Sequence, residues 1–237
     1  MNNSTALVTG ANKGIGKEIA RQLAAAGLTV HMGSRDAGRG RRAADEIDGD
    51  TRPLVLDVTD DTSIADAARQ VPHLDILVNN AGISVDGRPA TEADVDSFRR
   101  TYETNLFGVL AVTNAFLPAL RRSASPRIVN ISSGTGSLSW STGPEPRFPP
   151  EGSSAAYRSS KTALNALTLF YAQALAGENF KVNALAPGLR ATDLNARAAA
   201  SDGDPAESAE GAVRLALLAD DGPTGEFFSW DGTAMPW

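Results

Sequence analysis

Two side chains four residues apart, Tyr157 and Lys161, stand at the head of a long run of helical periodicity. A spacing of four puts both on one helix face. A phenol ionises near pH 10 in water, far from neutrality. A general acid works best nearer the operating pH. A cation roughly 5 Å away, at an effective dielectric of about 20, stabilises the phenolate by ~3 kcal/mol, or about two pK units. Lys161 is therefore expected to draw Tyr157 towards neutrality, which makes the pair a candidate proton donor. The plainer alternative is a tyrosine closing an apolar face beside a solvated lysine. Ser133 adds a hydroxyl that can hold a carbonyl oxygen and stabilise charge developing there. A helix cap or a turn is its other reading. Asn105 stands where a helix is predicted to begin, a position that also suits an N-cap.

A second constellation is the glycine-rich turn Gly10-Ala11-Asn12-Lys13-Gly14-Ile15-Gly16. A pyrophosphate lying on backbone N–H groups at a helix N-terminus needs glycines there, because side chains would block it. The spacing is Gly-x-x-x-Gly-x-Gly, wider than the usual Gly-x-Gly-x-x-Gly. A strand–helix turn that merely needs small residues is the alternative.

These groups require elements to hold them. Thr5–Thr9 reads as a buried strand, and Ile15, Ile19, Leu23 and Ala26 recur at helical spacing until Gly27. Further strands are predicted at 28–32, 54–56, 74–78, 127–131, 182–185 and 227–228. Helices are predicted to about Ile47 and over 60–69, 92–101, 105–120, 157–176 and 207–218. On the longest of these, Leu164, Leu167, Phe170, Tyr171 and Leu175 should form the apolar side. Alternation of this kind gives a single Rossmann-like, doubly wound parallel α/β sheet of about seven strands with helices on both faces. Ligands of such sheets bind beyond the carboxyl ends of the strands. That rule selects Gly10–Gly16, Ser34-Arg35, Asp57-Val58, Asn79–Gly82, Ser132-Ser133 and Pro187-Gly188.

Composition narrows the function. The chain has 237 residues, 42% of them hydrophobic, enough for a large core and consistent with one catalytic domain over 1–237. A net charge of −6 argues against nucleic acid or an anionic membrane as partner. There is no cysteine, hence no disulfide, thiolate nucleophile or Cys-ligated metal. His31 and His73 are isolated, so no metal site is expected. No apolar run reaches membrane-spanning length, and a cytoplasmic location is expected.

Taken in order, Thr9-Gly10-x-x-x-Gly14-Ile15-Gly16, Asp57-Val58, Asn79-Asn80-Ala81-Gly82, Asn105, Ser133, Tyr157-x-x-x-Lys161 and Pro187-Gly188 resemble the short-chain dehydrogenase/reductase family over nearly the whole chain. The turn Gly10–Gly16, Ser34-Arg35-Asp36 with Arg39-Gly40, and Leu215–Leu218 with Gly222–Gly225 are similar to its monomeric carbonyl reductase group. The resemblance implies an NAD(P)-dependent oxidoreductase acting on an aldehyde, ketone or alcohol. Tyr157 would donate the proton and Ser133 would position the substrate oxygen. Lys161 would also bind the nicotinamide ribose, and Asn105 would hold a relay water. Gly10, Asn12, Lys13, Gly14, Ile15 and Gly16 would hold the cofactor, with Asp57 and Val58 at adenine. Asn79, Ala81 and Gly82 would meet its middle, and Pro187, Gly188 and Thr192 its nicotinamide end.

NADPH is expected to be preferred over NADH. An NAD site places a carboxylate after the second strand, whereas this chain has Gly33-Ser34-Arg35 there and Lys13 in the glycine turn. A non-catalytic dinucleotide sensor on the same fold is the alternative, although such a protein would not need Tyr157 or Lys161. A halohydrin dehalogenase relative would carry Arg at position 161 and lack the glycines. Trp140, Phe148 and Trp230 are candidates for an apolar pocket. The irregular segment 134–154, with Pro144, Pro146, Pro149 and Pro150, is expected to cover the outer face of the long helix. It would then favour a monomer or dimer over the tetramer common in the family; folding over the substrate as a lid is the alternative.

Overall fold

The computed structural model describes residues 4–142, 146–148 and 152–237. Pro144, Pro149 and Pro150 lie outside the described residues.

Seven parallel strands form one sheet. In chain order they are β1 (Thr5–Val8), β2 (Thr29–Ser34), β3 (Thr51–Val55), β4 (Ile76–Asn79), β5 (Arg127–Ile131), β6 (Lys181–Ala186) and β7 (Phe227–Ser229). Their spatial order is β3-β2-β1-β4-β5-β6-β7. The order reverses between β1 and β4, and that crevice is where doubly wound sheets bind ligands. The helices are α1 (Gly14–Ala25), α2 (Ala37–Asp45), α3 (Asp61–Gln70), α4 (Val95–Tyr102), α5 (Gly108–Leu120), α6 (Leu138–Thr142), α7 (Ala155–Ala174), α8 (Ala196–Ala199) and α9 (Pro205–Ala216).

The period-2 alternation of strands divides the core between two layers. Ala6, Val8, Val78 and Val129 face Ile19 and Leu23 of α1 and Ala212 and Leu215 of α9. Leu7, Leu77 and Ile128 face Ile64 of α3, Phe116 of α5 and Tyr171 of α7. The expected fold class is the one observed.

Three local expectations differ from the structure. β3 starts three residues before the predicted apolar run and includes exposed Arg52 and Pro53. It is an edge strand, so one side needs neither apolar residues nor a complete set of N–H donors. The helices predicted at 92–101 and 105–120 are one continuous rod. Between α4 and α5, Glu103–Phe107 forms a π-helical turn. Along α7, Leu164, Tyr171 and Leu175 are buried and Leu167 packs against the core as expected, but Phe170 is exposed, and beside them lies a buried polar row: Ser160, Lys161, Asn165 and Thr168. These residues pair with the sheet. Ser132 Oγ donates to Asn165 Oδ1 at 2.5 Å, and Asn130 Nδ2 to Thr168 Oγ1 at 2.9 Å. These bonds cross-link α7 to β5, although the buried Asn165 Nδ2 has no partner among the described residues.

Candidate active site

The glycine turn lies at the carboxyl end of β1. Gly10 (φ +64°) and Gly14 (φ +54°) are left-handed, where any other residue is strained. A Cβ on Gly16 would stand 2.3 Å from Asn80 Nδ2 and 2.7 Å from the Gly10 carbonyl. Asn80 Nδ2 donates to the Thr9 and Gly10 carbonyls at 2.9 and 3.3 Å, so β4 holds the turn from behind. Side chains cap the N-termini of α2, α3, α4, α8 and α9, namely Asp36, Asp60, Asp94, Asn195 and Asp204. α1 has no such cap, and its first turn carries no acidic residue. Its first N–H groups are left for an outside acceptor in a cradle where Gly10, Gly14 and Gly16 carry no Cβ. This donor set fits a pyrophosphate.

A groove of ≈ 600 Å³ runs from this turn across the ends of β2, β1 and β4. Gly10, Asn12, Lys13, Gly14, Ile15, Gly16, Arg35, Asp57, Val58, Ala81, Gly82, Tyr157, Lys161, Pro187 and Thr192 all line it. At its outer end Arg35 is exposed. The neighbouring carboxylate, Asp36, is committed elsewhere. It accepts from Arg39 N at 2.8 Å as the cap of α2, and that bond holds its carboxyl below the usual range. Lys13 pairs with Asp193 at 2.5 Å, with both side chains more than half exposed.

Asn79 does not line the groove. Its parity in β4 is that of Leu77, towards α5. Its buried Nδ2 donates to Thr113 Oγ1 at 3.1 Å and Asn130 Oδ1 at 2.8 Å. Asn80 is the side chain at the turn. Strand alternation could have made that distinction from sequence.

Asn105 is not an N-cap. It is fully buried inside the π-turn, one place where the helix ladder shifts and frees a side chain for other work. Its Oδ1 accepts from Ile83 N at 2.8 Å. Its Nδ2 donates to the Ile83 carbonyl at 2.9 Å and to Ser160 Oγ at 3.0 Å. Both amide hydrogens are thus taken, and one lone pair of Oδ1 remains.

Tyr157 and Lys161 share a face of α7, with the ammonium 5.7 Å from the phenol ring centroid. Lys161 is buried and donates to the Ile131 carbonyl at 2.8 Å. Burial lowers its pKa to about 8. Burial likewise pushes the Tyr157 phenol up to about 12, while a hydrogen bond with Ser133 pulls the other way. The expectation that Lys161 draws Tyr157 below 10 is therefore corrected. Desolvation of the phenol is the largest cause of the rise in the folded chain. Ser133 Oγ also shares a hydrogen bond with Thr135 Oγ1 at 2.9 Å and caps the short 3₁₀ turn Gly134–Gly136.

A second cavity, of ≈ 380 Å³, opens beyond Tyr157. Gly188 and Ser133 line it, as do Trp140, Phe148 and Trp230. The cavity and the groove meet at Ile15, Ser84, Tyr157, Pro187, Thr192 and Leu194. Sequence reading missed Ser84 and Leu194, and the arginines of the cavity wall, Arg158, Arg190 and Arg197. Their only signal is proximity in sequence to Gly82, to Tyr157 and to Pro187-Gly188. The described part of 134–154 does not cover the outer face of α7. Trp140 packs against Gly134 and Phe148, and Ser137 and Ser139 bond to the carbonyls of Pro236 and Trp237. The segment walls the cavity, while Phe107, Leu110 and Phe170 stay exposed. Among the described residues no helix is long and apolar enough to cross a membrane.

Comparison with known proteins agrees with this geometry. The short chain dehydrogenase family model matches residues 4–203. Salutaridine reductase of Papaver bracteatum is 34% identical, with 94% of this chain and 93% of the relative covered. (-)-Isopiperitenone reductase of Mentha piperita is 35% identical, covering 95% of this chain and 96% of the relative. Among solved structures, NADPH-bound carbonyl reductase from chicken fatty liver is 28% identical and superposes with a TM-score of 0.84 over 100% of both chains. With a matching glycine turn, Tyr157-x-x-x-Lys161 and sheet order, the chain belongs to the short-chain dehydrogenase family of nicotinamide-dependent oxidoreductases.

Proposed function

We propose that this protein is a cytoplasmic, single-domain, NADPH-dependent reductase of aldehydes or ketones. The observation that carries the reading is the position of Tyr157 at the junction of two spaces. One is a groove with a phosphate cradle; the other is a cavity with an aromatic wall. The relatives named above as reductases support the reductive direction.

Gly10–Gly16 and the uncapped start of α1 hold the pyrophosphate, and the bound nicotinamide supplies the hydride. The substrate carbonyl oxygen sits between Ser133 and Tyr157. Ser133 donates a hydrogen bond to it, stabilising the charge that develops. Tyr157 then gives its proton to the same oxygen. A phenol pushed up to about 12 is fully protonated at neutral pH, the form a donor needs. Lys161, charged below about pH 8, stabilises the phenolate left behind. Asn105 is a positioning residue. Its carboxamide fixes Ile83 at the bend after β4, beside Gly82 and Lys161.

Arg35 supports the cofactor preference. It offers a guanidinium at the end of β2, where the neighbouring carboxylate is spent on capping α2. A 2′-phosphate takes bidentate hydrogen bonds from such a group. The exposed Lys13–Asp193 pair is weak enough to release Lys13 to the same phosphate.

A panel of aldehydes and ketones, followed by loss of NADPH absorbance, tests the proposal. Turnover of at least part of the panel is expected. A protein that binds NADPH tightly but reduces no member would be a cofactor sensor instead.

A further inference from the structure

The cavity beyond Tyr157 has a charge that the protein as a whole lacks. The chain carries a net charge of −6. Yet three arginines, Arg158, Arg190 and Arg197, line this one space, and among the described residues no Asp or Glu does. Arg190 is buried. It donates through Nε to the Pro187 carbonyl at 2.9 Å and to Ser208 Oγ at 2.7 Å, and through Nη1 to Glu207 Oε2 at 2.5 Å. Its guanidinium stacks 4.3 Å over the Trp230 ring. Its Nη2 is buried with no hydrogen-bond partner among the described residues. A buried guanidinium N–H without an acceptor is costly and rare, so the site lacks an acceptor there. Arg158 lies 5.6 Å over the Phe148 ring, and among the described residues its guanidinium donates only to the neutral Ser141 Oγ, at 3.1 Å. Arg197 is exposed on α8. Among the described residues neither Arg158 nor Arg197 has an acidic partner.

We infer that the substrate is a carbonyl compound bearing a carboxylate, with the carbonyl at Tyr157 and the carboxylate held by Arg158 and Arg197. Arg190 is ion-paired with Glu207 and stacks on Trp230, so it braces the cavity wall while Arg158 and Arg197 supply the charge. The aromatic rings of Trp140, Phe148 and Trp230 pack the apolar body between the two ends. Arginine is suited to the task because its fork matches a carboxylate and its stem and face pack on aromatic rings. This inference rests on the reductase reading, so its test has one arm that does not need turnover.

In the kinetic arm, para-carboxybenzaldehyde and its methyl ester are compared with NADPH. The acid is expected to be preferred about tenfold in kcat/KM, equal to about 1.4 kcal/mol of charge-assisted hydrogen bonding. The ratio should fall towards one in Arg197→Gln and Arg158→Gln, and also with rising ionic strength in the wild type. In the binding arm, para-hydroxymethylbenzoate and its methyl ester are titrated onto the NADPH complex by quenching of tryptophan fluorescence. Saturable quenching by the acid, weakened about tenfold in either variant, is expected. Each variant is first checked for wild-type thermal unfolding. Equal binding of acid and ester, or a preference untouched by both substitutions, overturns the inference even if aldehydes are reduced. Acid binding without turnover of any carbonyl compound would sink the reductase reading alone.

Discussion

Lys161 Nζ, four residues along α7 from Tyr157, donates to the main-chain carbonyl of Ile131 at 2.8 Å. Ile131 is the last residue of β5, and Ser133 follows two residues later. One hydrogen bond therefore ties the helix bearing the proton donor to the strand end bearing the hydroxyl beside it. It also holds an ammonium in a place where burial lowers its pKa to about 8. The arrangement sacrifices stability for a positioned charge, and its consequences can be measured.

Tyr157→Phe removes the acid and keeps the ring. Turnover should fall by about 10²–10⁴-fold, the usual worth of a general acid. Cofactor affinity should stay within about threefold, because the glycine cradle is untouched. Steady-state kinetics with an NADPH titration measures both. Wild-type turnover in the variant would remove Tyr157 from its role.

Lys161→Met should inactivate the enzyme yet stabilise the fold at pH 7. The depressed pKa means that the folded state disfavours the charged lysine, at a cost on the order of 3 kcal/mol. Between about pH 8 and the usual lysine range the unfolded chain binds more protons than the folded one. Wild-type stability from this group therefore rises with pH across that window. Urea unfolding at pH 7 and at pH 10 should show the variant's advantage shrinking. An advantage that grows with pH would contradict the assignment.

The same group sets a limit on catalysis. Reduction needs both a protonated Tyr157 and a charged Lys161. The value of kcat/KM should be level up to about pH 8 and decline above it, as Lys161 loses its proton. A decline only above pH 10 would mean that the lysine charge is not used.

Arg35→Ala should raise the KM for NADPH by about tenfold and leave that for NADH nearly unchanged. Adding Lys13→Ala should deepen the effect, since a cation is lost and its exposed partner Asp193 is left unpaired to repel the phosphate. Equal efficiency of the two cofactors in the wild type would refute the preference.

Asn105→Ala should lower stability by about 2–4 kcal/mol. It leaves the N–H and carbonyl of Ile83 and the Ser160 hydroxyl without their partner. Because Gly82 and Lys161 lie beside this bond set, NADPH affinity should weaken as well. Denaturant titration and cofactor titration check the two effects; an unchanged midpoint would show that solvent replaces the amide.

The sequence by itself determined the alternation of strands and helices, and with it the parallel sheet and the end that binds ligand. These follow from hydrophobic period and from glycines at positive φ, both local properties of the chain. It also determined that Tyr157 and Lys161 share a face, because helical spacing does not depend on the surroundings. Tertiary structure decided the environment of each group. Burial of Tyr157 raises its pKa where a pairwise estimate in a wet medium lowers it, since desolvation depends on every neighbour at once. Asn105 changed from a helix cap to the buried centre of a π-turn, because its carboxamide is engaged by Ile83 and Ser160, both distant in sequence. Asn79 and Asn80 are adjacent in sequence, yet one is sealed under α5 and the other braces the glycine turn. Arg158, Arg190 and Arg197 share a cavity only because α7, the loop after β6 and α8 converge beyond the sheet. Convergence of distant segments is a property of the packed chain, and no spacing along the sequence encodes it.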